Sequence, residues 1–110
     1  LSLTSPAIIE EVVGRSVTIT YVTDVADNVK LILEIYYNDS LIASGTKSVL
    51  AETSSKLFGN RLRASLSLQN QKEYSLHIDD VKYNDTGLFF AEIKFFDPNL
   101  KANSTTKLII

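Results

Sequence analysis

Tyr74-Ser75-Leu76-His77-Ile78-Asp79-Asp80-Val81-Lys82-Tyr83-Asn84-Asp85-Thr86-Gly87-Leu88-Phe89-Phe90-Ala91-Glu92-Ile93-Lys94 is the stretch on which the reading of the chain turns. Tyr74, Leu76 and Ile78 recur at every second position, the spacing of an extended strand with one buried face. The alternation breaks at the polar run Asn84-Asp85-Thr86-Gly87. It resumes with Phe89, Ala91 and Ile93 inward and Leu88, Phe90, Glu92 and Lys94 outward. A glycine after an Asp/Thr pair suits a tight corner between two sheets, with Gly87 expected to supply positive φ.

The same period extends to either side. Arg61-Leu62-Arg63-Ala64-Ser65-Leu66-Ser67-Leu68 alternates cleanly and predicts a strand with Leu62, Ala64, Leu66 and Leu68 inward. Val17-Thr18-Ile19-Thr20-Tyr21 is β-branched and alternating. Val29-Lys30-Leu31-Ile32-Leu33-Glu34-Ile35-Tyr36-Tyr37 predicts another strand, with Leu31, Leu33 and Ile35 inward and Ile32, Glu34 and Tyr36 outward. Asn38-Asp39-Ser40 is its hairpin turn, and Leu41-Ile42-Ala43-Ser44 returns. Residues 45–59 are polar and suit one short strand between loops. Pro6 cannot donate to a ladder, so residues 1–13 predict an edge strand bent near that proline. Residues 95–102 read as a loop, and Thr105-Thr106-Lys107-Leu108-Ile109-Ile110 as the last strand. The count is about nine strands with no helix longer than a turn, a fold class of all-β, two-sheet antiparallel sandwich.

A chain of 110 residues fits one domain and can bury a core without metal or disulfide staples. An apolar fraction of 45% and a net charge of −2 are those of a folded globular domain, and give no reason to expect nucleic acid or an anionic membrane as partner. No apolar run is long enough to span a bilayer. The chain holds no cysteine, which taken alone favours a reducing compartment. Three N-x-S/T sequons, at Asn38, Asn84 and Asn103, point the other way, to a secreted or cell-surface glycoprotein. They fall in predicted turns or strand ends.

The corner motif resembles the L-x-I-x-x-[VL]-x-x-x-D-x-G-x-Y-x-C signature of immunoglobulin variable-type (V-set) domains, where it covers strand E, the E–F corner and strand F. Gly14-Arg15-Ser16-Val17-Thr18-Ile19-Thr20-Tyr21 is similar to that family's strand B. Two departures stand out in the corner: Phe89 occupies the place of the corner tyrosine and Ala91 that of the second cysteine. Tyr21 occupies the place of the first cysteine, 91 − 21 = 70 residues earlier. Leu33 or Ile35 replaces the core tryptophan. A large Tyr21 facing a small Ala91 could fill the space of the missing disulfide. The alternative is a register in which Tyr21 faces solvent. Losing the bridge gives up about 2–4 kcal/mol that packing must offset. The resemblance also implies a structural ion pair between Arg61 and Asp85, with Arg63 as the other candidate partner.

Within this superfamily the chain is similar to the variable-like domains of hydroid allorecognition receptors, and next to the amino-terminal domains of the signalling lymphocytic activation molecule family. The first group lacks both cysteines and the tryptophan; the second lacks the B–F disulfide. Both imply a single-pass membrane receptor that binds its like on an opposing cell. Residues 1–110 would then be one V-set domain, the membrane-distal part of a longer receptor, since the chain stops on Ile110 inside a strand.

Enzymatic chemistry finds little support. His77 is the only histidine and reads as a solvated strand residue. Asp79, Asp80 and Asp85 match no calcium loop. The four glycines are too dispersed to cradle phosphate, and thiol or sulfur-ligated zinc chemistry is excluded. No catalytic residue, metal or cofactor is assigned.

A surface remains. In a variable-type sheet strands C and F are neighbours, which would bring Ile32, Glu34, Tyr36, Phe90, Glu92 and Lys94 onto one face with Leu88. Leu41 or Ile42 and a Phe95-Phe96 loop would border it. Aromatic anchors inside a rim of both charge signs suit a protein interface. Glu34, Glu92, Lys30 and Lys94 would allow acid-to-base pairing between two copies about a two-fold axis. The expected function is homophilic recognition through this C-F-G face, with the same receptor as partner. A heterophilic receptor or a secreted or viral decoy is the alternative, and a structural spacer the third reading.

Overall fold

The computed structural model describes residues 2–25, 30–53, 57–67, 73–95 and 100–110. The expectations for Val29, Leu68 and Phe96, and part of those for residues 45–59 and 95–102, lie outside these residues. Ten strands are present: β1 (Leu3–Thr4), β2 (Ile8–Glu10), β3 (Val17–Thr23), β4 (Leu31–Tyr37), β5 (Ser40–Gly45), β6 (Leu50–Glu52), β7 (Leu62–Leu66), β8 (Glu73–Ile78), β9 (Gly87–Phe95) and β10 (Lys101–Ile109). Single 3-10 turns at Gly59–Arg61 and Tyr83–Asp85 are the helical elements among the described residues. The strands form two sheets packed as a sandwich, ordered β1-β3-β8-β7 and β2-β10-β9-β4-β5-β6.

Alternation decides which side of each strand is buried. Val17, Ile19, Tyr21 and Thr23 of β3 point inward, as do Leu31, Leu33, Ile35 and Tyr37 of β4 and Phe89, Ala91, Ile93 and Phe95 of β9. One continuous core lies between the sheets, and Tyr21, Tyr74, Phe89, Leu33 and Ile35 within it have no accessible surface. Tyr21 is therefore a core residue, and the solvent-facing register does not occur. Ala91 is equally buried.

Pro6 lies between β1 and β2, and the two short strands join different sheets. β1 runs antiparallel to β3, whereas β2 runs parallel to β10 with Ile8 beside Lys107. The sandwich is thus not wholly antiparallel. A residue without an N–H interrupts one ladder, and the chain crosses to the other sheet before pairing again.

The corner differs from its sequence reading in two ways. Positive φ among glycines of the described residues belongs to Gly14 and Gly59, not Gly87. Gly87 is required by space: a Cβ there would lie 2.8 Å from Tyr37 Cε1 and 2.8 Å from Asn38 Oδ1. Second, a tyrosine does bond the corner, but it comes from β4. Tyr37 donates its hydroxyl to the carbonyls of Asn84 at 3.1 Å and Thr86 at 3.3 Å. Its ring meets Phe58 and Phe89 at centroid distances of 4.8 and 4.9 Å. Phe89 fills the core, and the hydroxyl it lacks is supplied across the sheet.

Arg61 sits in the 3-10 turn before β7, not on an outward strand position, and this turns its side chain toward the corner. The guanidinium donates to both carboxylate oxygens of Asp85, at 2.7 and 3.0 Å, and also to the carbonyls of Asp79 and Asp80. Burial alone would raise the Asp85 carboxyl, but the Arg61 guanidinium and the Lys82 amide outweigh it and hold the group below its ordinary range. Arg63 pairs with Asp79 instead, at 3.3 Å.

His77 is more than a solvated residue. Its ring nitrogens lie 3.0 Å from Thr18 Oγ1 on β3 and 3.0 Å from Ser65 Oγ on β7, tying three strands together. Strands β9 and β10 also reach further toward each other than expected, to Phe95 and from Lys101.

Candidate recognition face

The outer face of the six-stranded sheet is set by register. β4 and β9 pair so that Ile32 lies opposite Lys94, Glu34 opposite Glu92 and Tyr36 opposite Phe90. Directly opposed residues point to the same side of a sheet with Cβ atoms about 5 Å apart. All six sequence-predicted residues therefore share one surface. Leu88 extends it and is exposed, while Tyr36 and Phe90 are half-buried against each other, with ring centroids 6.3 Å apart.

Three bands run across the strands. Tyr36, Phe90 and Leu88 make an apolar band, bordered by Leu41, which pairs with Tyr36. A bulge between Ile35 and Tyr36 shifts the β4–β5 register and turns Ile42 fully inward, so Leu41 is the border residue. Glu34 and Glu92 form an acidic band, and Lys94 begins a basic one. The Lys94 ammonium reaches Glu34 at 2.7 Å and Glu92 at 3.7 Å. Hydrogen bonding to Lys94 lowers the Glu34 carboxyl, and the same contact raises Lys94. These charges, read from sequence as available to a second copy, are already paired within the chain. Phe95 is not a border residue either: it closes β9 as part of the core.

The third strand of the face, expected from Thr105 onward, starts at Lys101 and brings residues that the sequence reading did not assign to the face. β10 pairs with β9 so that Lys101 lies opposite Lys94, Asn103 opposite Glu92, Thr105 opposite Phe90 and Lys107 opposite Leu88. All four are exposed. Lys101 thus widens the basic band, and Thr105 the apolar one. The signal was faint because inward positions on this strand include Ser104 and Thr106, which hide the alternation. Both are satisfied by Ser5, whose hydroxyl meets those of Ser104 and Thr106.

This register moves Asn103 from the predicted strand end. It lies inside β10, on the face, beside the acidic band. The other sequons are placed differently. Asn38 is in the β4–β5 hairpin with φ of 45°, and its Oδ1 accepts the Leu88 amide at 2.9 Å. Asn84 is exposed in the corner turn.

Among the described residues no group of three or more His, Cys, Asp or Glu side chains could hold a metal ion. No helix among them is long and apolar enough to cross a membrane. No family model matches the chain, and no curated protein is significantly similar to it in sequence.

Proposed function

We propose that the chain is a variable-type immunoglobulin domain of a cell-surface receptor, and that it recognises a second copy of itself on an opposing cell through the β10-β9-β4 face. The fold part of this reading is supported by the strand order. A four-stranded sheet β1-β3-β8-β7 facing the six-stranded sheet, in which β10-β9-β4-β5-β6 follow the edge strand β2, corresponds to the A-B-E-D and G-F-C-C′-C″ sheets of such domains. The Arg61–Asp85 pair closing the corner supports it further.

One observation carries the recognition part. The register stacks an apolar, an acidic and a basic band side by side on a single sheet face. Two copies meeting about a two-fold axis between the acidic and basic bands would set Glu34 and Glu92 of one against Lys94 and Lys101 of the other. The exposed Leu88 and the edges of Phe90 and Tyr36 would supply apolar contact at both ends. Such an interface is expected to be weak singly and to act by multivalency between membranes.

A heterophilic partner is the second reading, favoured by the intrachain Glu34–Lys94 contact, which leaves less charge for self-pairing. Beads densely coated with the domain produced without glycans distinguish the two. Wild-type beads should aggregate with one another, and Phe90→Asp beads, verified as folded by circular dichroism, should not. Wild-type beads that stay dispersed while the concentrated domain sediments as a monomer would refute homophilic recognition.

A further inference from the structure

We infer that Asn103 is a glycan attachment site on the recognition face itself, and that its glycan governs access to that face. The inference rests on the extracellular homophilic reading above for its biological consequence, but the masking is a geometric matter of its own. Asn103-Ser104-Thr105 is a complete sequon. Asn103 is exposed near the start of β10, directly opposite Glu92, whose own neighbour across the sheet is Glu34. Strands lie about 4.8 Å apart. A branched oligosaccharide leaving Asn103 therefore stands over the acidic band and within one or two residues of Lys94 and Phe90.

The three sequons are not equivalent. At Asn38 the amide is built into the fold, its Oδ1 taking the Leu88 N–H and its Nδ2 packed where a Gly87 Cβ would be, at 2.9 Å. Asn84 is exposed in the 3-10 turn of the corner, off the strands of the face. Asn103 alone projects from the face defined by Glu34, Tyr36, Phe90 and Glu92.

Attachment follows the general chemistry of the sequon. An oligosaccharide on a lipid pyrophosphate is the donor. A bond forms between Asn103 Nδ2 and the anomeric carbon, the bond from that carbon to the pyrophosphate oxygen breaks, the lipid pyrophosphate leaves with the electron pair, and Nδ2 gives up one proton. The neutral amide stays neutral, so the change to the face is steric. Bulk over the centre of the face excludes a second copy at the same place. Chains lacking or trimmed at this glycan remain competent. Recognition is then set by glycan processing as well as by sequence.

The test uses the domain secreted from eukaryotic cells, as wild type and Asn103→Gln, each with and without an endoglycosidase that leaves a single sugar. Peptide mass spectrometry reads occupancy of Asn103. Because the chain has no cysteine, Lys94→Cys gives one reporter on the face for a bulky maleimide. The expected result is an occupied Asn103, slow labelling and no bead aggregation for the fully glycosylated domain. Trimming or Asn103→Gln should restore both. An unoccupied Asn103, or an occupied one whose trimming changes neither labelling nor aggregation, overturns the inference. Labelling that recovers on trimming while Asn103→Gln beads still fail to aggregate upholds the masking and refutes homophilic recognition instead.

Discussion

Three buried tyrosines allow one chemical change to be tested with opposite signs. Tyr21, Tyr37 and Tyr74 are all core residues, yet their hydroxyls are in different situations. Tyr37 bonds two corner carbonyls and Tyr74 bonds the Thr46 carbonyl at 3.3 Å, whereas Tyr21 Oη has no partner among the described residues. Burial also pushes the ionisation of Tyr21 far above the ordinary phenol range, so the group is neutral at any working pH. A buried hydroxyl without a bond costs about 1–3 kcal/mol in lost solvation. Tyr21→Phe removes that cost and leaves a void of roughly 10 Å³, worth only about 0.2 kcal/mol at about 24 cal/mol per Å³. The net expectation is a gain of about 1–2 kcal/mol. With a urea slope of about 2 kcal/mol/M, the midpoint should rise by about 0.5–1 M. Tyr37→Phe should instead lose about 1 kcal/mol or more, because two corner carbonyls forfeit a donor. Urea unfolding of the three Tyr→Phe variants, followed by far-UV circular dichroism, is the assay. A Tyr21→Phe domain that is less stable than wild type would refute the reasoning, since it would mean that the hydroxyl is bonded within the core.

Asp85→Asn tests the corner ion pair and its pH dependence. A carboxyl held below its ordinary range in the folded state contributes stability that is complete above the unfolded value and fades as pH falls through the folded one. The wild-type advantage over Asp85→Asn should thus be full near neutrality and shrink below about pH 4; an advantage independent of pH would contradict the assignment. Arg61→Ala leaves a nearly buried carboxylate unpaired and should cost about 3–5 kcal/mol in the same assay. Gly87→Ala forces a methyl against Tyr37 and Asn38 and should cost about 1–3 kcal/mol although Gly87 needs no positive φ. Unchanged stability there would show that the hairpin yields freely. Phe90→Asp should keep the fold, since Phe90 is on the outer face, while abolishing bead aggregation; retained aggregation would move the interface elsewhere.

Much of the sandwich was legible because strand pleating prints itself on sequence. Tyr74, Leu76 and Ile78, then Phe89, Ala91 and Ile93, could only be buried together if each segment was extended, and both sets are fully buried. The pairing of Arg61 with Asp85 was implied by the family resemblance, whereas the break at Pro6 followed from local chemistry, because an imino nitrogen ends a ladder. The six face residues of β4 and β9 followed from the same alternation once the two strands were taken as neighbours.

What the sequence determined by itself is the inside and outside of each strand. Which strands lie side by side, and in what register, was decided only by tertiary structure, because pairing joins residues far apart in the chain. The displaced corner hydroxyl is one such case, since Tyr37 and Asn84 meet only after β4 docks beside β9. The parallel seat of β2 is another, since the Pro6 break says where a ladder ends but not which edge the chain joins next. Asn103 is the third. Its sequon is plain in one dimension, but its place beside Glu92 depends on β10 starting at Lys101, where inward Ser104 and Thr106 look polar until Ser5 satisfies them. Alternation is a local property of backbone geometry, whereas register is a sum of packing and hydrogen bonds over the whole sheet.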